Sequence, residues 1–154
     1  MTENPYSSPS AQLTSATVVE KVGIYSPVQV ACGTIGGPVG LIYFLKANFD
    51  ALGNERYARN TLYIGIVLTL LLGVLMPFIP DDIPGSPFTI AYIVTALHIS
   101  KRYQLEKQAI KSSNEYFQYS NWRVLGYGLI CLVASVFVLF VPAFTMVSMG
   151  FAGK

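Results

Sequence analysis

Charged residues divide the chain into long uncharged stretches and short charged ones. From Thr61 to Pro80, and again from Val124 to Gly153, the sequence contains no Asp, Glu, Lys or Arg. A helix needs about 20 mostly apolar residues to cross the ~30 Å hydrocarbon layer of a bilayer. Both stretches therefore predict transmembrane helices.

Two further stretches predict helices from weaker patterns. Val22 to Leu45 is uncharged but rich in glycine, and Pro87 to Ser100 is apolar but short. The sequence thus predicts an all-α integral membrane bundle of four transmembrane helices in two hairpins, the third of them short or tilted. The first segment either spans the bilayer or re-enters, bending at Gly36-Gly37-Pro38 with both ends on one side.

The segment boundaries follow from polar and turn-forming residues. Residues 1–24 are rich in Ser, Thr and Pro and predict a flexible polar segment, which leaves residues 25–154 for the bundle. Gly53 is placed to end the first helix in the left-handed conformation, and Asn54 to cap the second. Ser86 and Pro87 begin the third helix, which is expected to continue to about residue 111.

Composition supports a membrane location, and the positive charges predict an orientation. Hydrophobic residues make up 53% of the chain and charged residues only 12%, whereas soluble domains carry about 25% charge. Eight of the ten Lys and Arg residues fall within 46–59 and 101–123. The positive-inside rule makes these loops cytoplasmic. With a spanning first segment, the acidic turn at Asp81 and Asp82 and both termini would face outward.

Small residues recur every four positions in two of the predicted helices. Residues at this spacing lie on one helix face, and glycine there allows close helix packing in lipid. No Lys followed by Ser or Thr accompanies the glycines, so a phosphate-binding loop is excluded. The stripe either packs helices within one protomer, which is the simpler interpretation, or forms a partner face. Its members are Gly33, Gly36, Gly37, Gly40, Gly65, Thr69 and Gly73.

Candidate chemistry is sparse. The predicted spans lack ionisable groups away from their ends, which argues against a proton-coupled or ion-coupled transporter. No pattern of catalytic, cofactor-binding or metal-binding residues is present, and a net charge of +2 gives no ground for nucleic-acid binding. The polar residues available for cross-helix or partner contacts are Gln29, His98, Asp81 and Asp82.

Three short motifs carry a resemblance to a known group of proteins. They are Tyr25-Ser-Pro-Val-Gln29, Gly36-Gly37-Pro38 and Ala51-Leu-Gly-Asn-Glu-Arg56. With the later hydrophobic pattern, they resemble a group of small, largely uncharacterised bacterial inner-membrane proteins. The resemblance implies a bacterial plasma membrane, a multi-pass topology and no established cofactor.

These observations predict a non-enzymatic protein that is surrounded by membrane lipid and acts through helix packing. Its partner would be another membrane protein or a second copy, as in immunity to a membrane-inserting toxin or in an accessory subunit. The alternative is a small passive channel or transporter component that acts as an oligomer.

Overall fold

The structure, a computed structural model, describes residues 21–80 and 82–150. This part of the chain is predominantly helical, as the sequence predicts, with one small pair of parallel strands. The elements are β1 (Val22–Ile24), α1 (Pro27–Gly33), a 3₁₀ turn (Thr34–Gly36), α2 (Gly37–Ala51), α3 (Glu55–Leu75), a second 3₁₀ turn (Met76–Phe78), α4 (Ser86–Tyr103), α5 (Lys107–Ser112), β2 (Tyr116–Gln118) and α6 (Asn121–Ser148).

The first apolar segment folds back on itself. The Tyr25 backbone N–H donates to Asn48 Oδ1 at 2.8 Å, and the rings of Tyr25 and Phe44 lie 4.9 Å apart, centroid to centroid. The two ends of the segment are therefore side by side. Pro27–Ala51 is called the hairpin below. Its tip is Thr34–Gly37, where Gly37 adopts φ 72°, a conformation that glycine adopts without steric cost.

Three stretches are long and apolar enough to cross a membrane: Pro27–Ala51, Glu55–Phe78 and Asn121–Ser148. The first reaches that length only when both hairpin arms are counted. Its longer arm, α2, has 15 residues and rises about 22 Å. The predicted short third helix corresponds to α4, which has 18 residues and ends in Lys101, Arg102 and Tyr103.

Helix packing corrects the predicted pairing of helices. α2 packs against both α3 and α6, and α3 and α6 also pack against each other. α4 instead packs against α1 and α2. The prediction that the third and fourth helices form a second hairpin is therefore wrong, because the folded-back first segment provides the surface that α4 covers. The core of this arrangement contains Tyr25, Val30, Phe44, Leu45 and Phe49, each at most 2% exposed.

The third helix is also shorter than predicted. α4 ends at Tyr103 rather than near residue 111, because Gln104 leaves the helix with an extended backbone, φ −126° and ψ 174°. Its side chain turns inward to other helices, as described below. The strand β2 then pairs in parallel with β1, Val22 opposite Tyr116. β1 lies inside the segment that the sequence assigns to the polar tail, and residues 1–20 lie outside the described residues.

Positive charge collects at one end of the bundle. The rings of Phe49 and Tyr57 stack with their centroids 5.5 Å apart, and the tilted rings of Tyr57 and Tyr103 lie 5.6 Å apart. These contacts bring together the end of α2, the start of α3 and the end of α4. This end, with α5, the strands and the start of α6, is called the basic end. Its nine cationic residues are Lys21, Lys46, Arg56, Arg59, Lys101, Arg102, Lys107, Lys111 and Arg123.

Candidate functional site

A buried polar clamp closes the hairpin at the basic end. Asn48 is 1% exposed, and its amide both accepts from the Tyr25 backbone N–H and donates to the Tyr25 carbonyl at 2.7 Å. The same amide nitrogen donates to Gln104 Oε1 at 2.8 Å, and Gln104 Nε2 donates to the Leu45 carbonyl at 3.2 Å. These bonds satisfy backbone groups that cannot reach water and tie α1, α2 and α4 together.

Gln29 connects the start of α1 to the start of α6. Its Oε1 accepts from the Ser26 backbone N–H, and Ser26 Oγ accepts from the Gln29 N–H, which makes a capping box. Its Nε2 donates to the Tyr119 carbonyl at 2.7 Å and to Asn121 Oδ1 at 2.8 Å. The sequence offered two roles for Gln29, a cross-helix bond or a partner contact, and the structure shows the cross-helix bond.

Ser135 of α6 satisfies the hairpin tip. Its Oγ donates to the Gly36 carbonyl at 2.6 Å and accepts from the Val39 backbone N–H at 3.1 Å. A break in a helix at membrane depth is tolerated where protein supplies the missing hydrogen bonds. Ser135 lies 14 positions from the start of α6, or about 21 Å along its axis. The tip therefore ends partway along α6.

The small-residue stripes contact other parts of the same chain. A Cβ on Gly33 would overlap the Phe44 ring, and one on Gly36 would lie 2.7 Å from the Gly128 carbonyl. For the other glycines, an added Cβ would meet Ser135 at Gly37, Gly33 and Cys131 at Gly40, Ile42 at Gly65, and Leu139 and Pro142 at Gly73. The Thr69 hydroxyl donates to the Gly65 carbonyl at 2.7 Å. In this protomer the stripes bring the hairpin, α3 and α6 together.

An open groove remains between α1 and α6 because α1 is only seven residues long. This α1–α6 groove has a volume of about 360 Å³, with Gln29 and Asn121 at the basic end and apolar side chains below. Cys32 lies in it and is exposed. Gly128 also lines it, and a Cβ added to Gly128 would meet nothing within 4 Å. Its full lining is Val28, Gln29, Cys32, Ile35, Asn121, Val124, Leu125, Gly128, Leu129 and Leu132.

The remaining predicted polar residues lie apart from the groove. His98 is exposed on α4, and Asp82 is exposed in the turn that precedes α4, at the end of the bundle opposite the basic end. Asp81 lies outside the described residues. In the described ranges, 21–80 and 82–150, no group of three or more His, Cys, Asp or Glu side chains is placed to hold a metal ion.

An aromatic cluster at the basic end holds one arginine. The Arg123 guanidinium carbon lies 4.1 Å from the Tyr119 ring centroid and 5.3 Å from that of Tyr127, within cation–π range. Tyr127 in turn stacks on Tyr43 at 5.2 Å. Burial raises the pKa of the Tyr25 phenol above its ordinary value, although the positive charge of the nearby Arg123 acts in the opposite direction. Tyr25 is therefore neutral at pH 7.

Sequence reasoning missed Asn48 and Gln104. Gln29 stands out as a lone amide in an apolar stretch, whereas Asn48 is followed by a charged residue at Asp50 and Gln104 lies among charges in Lys101–Lys107. Neither residue therefore differs in polarity from its neighbours enough to be noticed in the sequence.

Comparison of the chain with protein families, curated proteins and solved structures found no match.

Proposed function

We propose that this protein is a non-enzymatic, multi-pass membrane protein that packs against a helix of another membrane protein in the α1–α6 groove. The observation that carries the proposal is the open groove between α1 and α6, where a Cβ added to the buried Gly128 would meet nothing within 4 Å, beside a hairpin arm that stops short. Helices associate in lipid where small residues allow close approach. Gly128 and Cys32 provide such residues: Cys32 is exposed in the groove, and the space into which a side chain at Gly128 would extend is open.

The groove has the chemistry of a helix-packing site as well as its shape. Below the amides of Gln29 and Asn121 its lining is apolar, which suits a membrane-embedded helix. Asn121 is exposed and its amide offers donors and an acceptor to a polar side chain of the partner, a contact that contributes about 1 kcal/mol in lipid. The glycine stripes, by contrast, are occupied within the protomer. The partner face is therefore expected on α6 and α1.

The proposed orientation follows from the basic end. Because all nine described Lys and Arg residues lie there, the positive-inside rule makes that end cytoplasmic. The hairpin is then re-entrant, entering from the cytoplasm and returning to it, while α3, α4 and α6 cross the membrane. Lys21 would thus be cytoplasmic, unlike in the N-out topology predicted for a spanning first segment. Assignment to a bacterial inner membrane rests on the sequence resemblance alone.

The alternative function, a passive channel component, would require an oligomer. The space enclosed by the hairpin arms and α4 is filled by large side chains, among them Tyr25, Phe44 and Phe49. A conducting path would therefore have to form between protomers rather than within one.

Native Cys32 allows a direct test. It is exposed in the groove whereas Cys131 is buried, so a maleimide photocrosslinker added to cells expressing the protein should react at Cys32. We expect a crosslink to another membrane protein that is absent from Cys32→Ser. A crosslink only between copies of this chain, or none above the Cys32→Ser background, would contradict the proposal.

A matched pair of variants tests whether the groove itself matters. Gly128→Leu places a side chain in the groove, whereas Gly126→Leu makes the same change on the same helix outside its lining. A Cβ meets nothing within 4 Å at either position, so both variants should fold. Copurification of the partner should be lost in Gly128→Leu and kept in Gly126→Leu. Equal recovery in both variants would refute the groove as the contact surface.

A further inference from the structure

A second groove runs along the opposite side of α6 from the first, where α2, α3 and α6 meet. This α2–α3–α6 groove has a volume of about 380 Å³ and is apolar for most of its length. It opens at the basic end, where Lys46 and Tyr43 form its upper lining. The full lining is Val39, Ile42, Tyr43, Lys46, Leu62, Ile66, Thr69, Leu70 and Val138.

The depth of this groove matches half of a bilayer. On α3 its lining extends from Leu62 to Leu70, eight positions that rise about 12 Å. One leaflet contributes roughly 15 Å of the ~30 Å hydrocarbon layer. An acyl chain that enters from the cytoplasmic leaflet would therefore run along most of the groove, and its headgroup would lie at the basic end.

Two arginines lie just beyond the lining of the groove at the basic end, and this region is called its mouth. Arg59 lies on the same face of α3 as Leu62 and Ile66, three and seven positions before them. Arg123 lies on the face of α6 that carries Val138, 15 positions later, and is held over Tyr127, which stacks on the groove residue Tyr43. Both arginines are exposed.

The charges at the mouth favour an anion. In the described part of the chain the one ion pair joins Lys46 to Asp50, so neither arginine has a carboxylate partner. Glu55 lies one turn before Arg59 on α3. The mouth has three positive side chains, Lys46, Arg59 and Arg123. The two negative side chains beside them, Asp50 and Glu55, leave a net charge of +1. An arginine fork matches two oxygens of a phosphate group.

We propose that the α2–α3–α6 groove binds an anionic phospholipid, with its phosphate at Arg59 and Arg123 and one acyl chain along the apolar lining. Basic pockets between transmembrane helices on the cytoplasmic side suit anionic headgroups. Arg123 is positioned by aromatic rings rather than by a carboxylate, so its N–H groups remain available to a phosphate. The site is separate from the α1–α6 groove, so its failure would leave the proposed function standing, and the reverse also holds.

Native mass spectrometry of the detergent-purified protein tests this proposal. Palmitoyl-oleoyl phosphatidylglycerol and the zwitterionic palmitoyl-oleoyl phosphatidylcholine are titrated separately into the micelles. We expect phosphatidylglycerol adducts at lower lipid concentration than phosphatidylcholine adducts. Millimolar inorganic phosphate should leave the phosphatidylglycerol adducts in place, because it lacks the acyl chain. Equal binding of the two lipids, or displacement by phosphate alone, would overturn the proposal.

Two matched pairs of variants locate the site. Arg59→Gln should weaken phosphatidylglycerol binding about fivefold, the effect of one cation near an anionic headgroup, whereas Arg102→Gln removes the same charge on α4 and should have no effect. Ile66→Trp fills the groove and should reduce binding, whereas Val67→Trp, on the same helix but outside the lining, should not. All four replaced side chains are exposed, and circular dichroism melting confirms their folding. Equal binding within both pairs would refute the site.

Discussion

Replacing Asn48 should open the hairpin. Asn48→Leu keeps a side chain of similar size but removes every hydrogen bond of the clamp that involves the Asn48 amide. The Tyr25 N–H, the Tyr25 carbonyl and Gln104 Oε1 then lose a partner in a buried place. Each unsatisfied buried group costs about 1–3 kcal/mol. Because the three losses are coupled and partly relieved by relaxation, we expect a total destabilisation of about 4 kcal/mol.

Cysteine labelling reports this opening. Cys131 is buried, and its Cβ lies 2.8 Å from where a Cβ on Gly36 would be, so the hairpin tip shields it. Cys32 is exposed and serves as the reference in the same sample. If N-ethylmaleimide reaches Cys131 only after the hairpin opens, its labelling rate follows the open population. A loss of ~4 kcal/mol corresponds to a rate increase of about a thousandfold.

A graded series makes the result decisive. Gln104→Leu leaves the Asn48–Tyr25 bonds in place and should cost about 1–3 kcal/mol. Asn60→Leu makes the same change at an exposed position on α3 and should stay within about 0.5 kcal/mol. Cys131 labelling in Asn48→Leu within threefold of the wild-type rate would show that the clamp does not hold the hairpin closed.

Three further predictions follow from the hairpin and its surroundings. Ser135→Ala should destabilise the protein by about 1–3 kcal/mol, since the tip carbonyl loses its donor; unfolding in mixed dodecyl sulfate micelles measures this, and an unchanged midpoint would contradict the role of Ser135. Folding raises the pKa of Tyr25, so the contribution of its neutral phenol is complete below pH ~10 and is lost as the pH rises further. The free energy of unfolding of the wild type should therefore fall relative to that of Tyr25→Phe above that pH. If the two free energies changed in parallel with pH, the Tyr25 phenol would not contribute to the pH dependence of stability. In membrane vesicles that contain the Cys32→Ser/Cys131→Ala protein, single cysteines placed at Lys21 and Ser113 should react with a thiol reagent from the same side, and one placed at Asp82 from the other side. Reaction of the Lys21 and Asp82 positions from the same side would show a spanning first segment.

The sequence predicted the helical class because a long uncharged stretch in lipid must satisfy its backbone groups without water, and a helix does so within one segment. It located α3 and α6 within a few residues, and it placed Gly53, which adopts φ 70°, at the turn before α3. These features depend on neighbours in the chain: hydropathy over a window, and a glycine where a left-handed residue is needed.

The path of the first segment was decided by tertiary structure. Its hydropathy and length are compatible with either a crossing or a hairpin. The structure selects the hairpin because Asn48 and Ser135, far apart in sequence from Tyr25 and Gly36, supply hydrogen bonds that a straight helix would not need. The partner of α4 was decided in the same way. Local pattern thus determined which residues are helical and which end is basic, whereas long-range hydrogen bonds and close glycine contacts decided how the helices assemble.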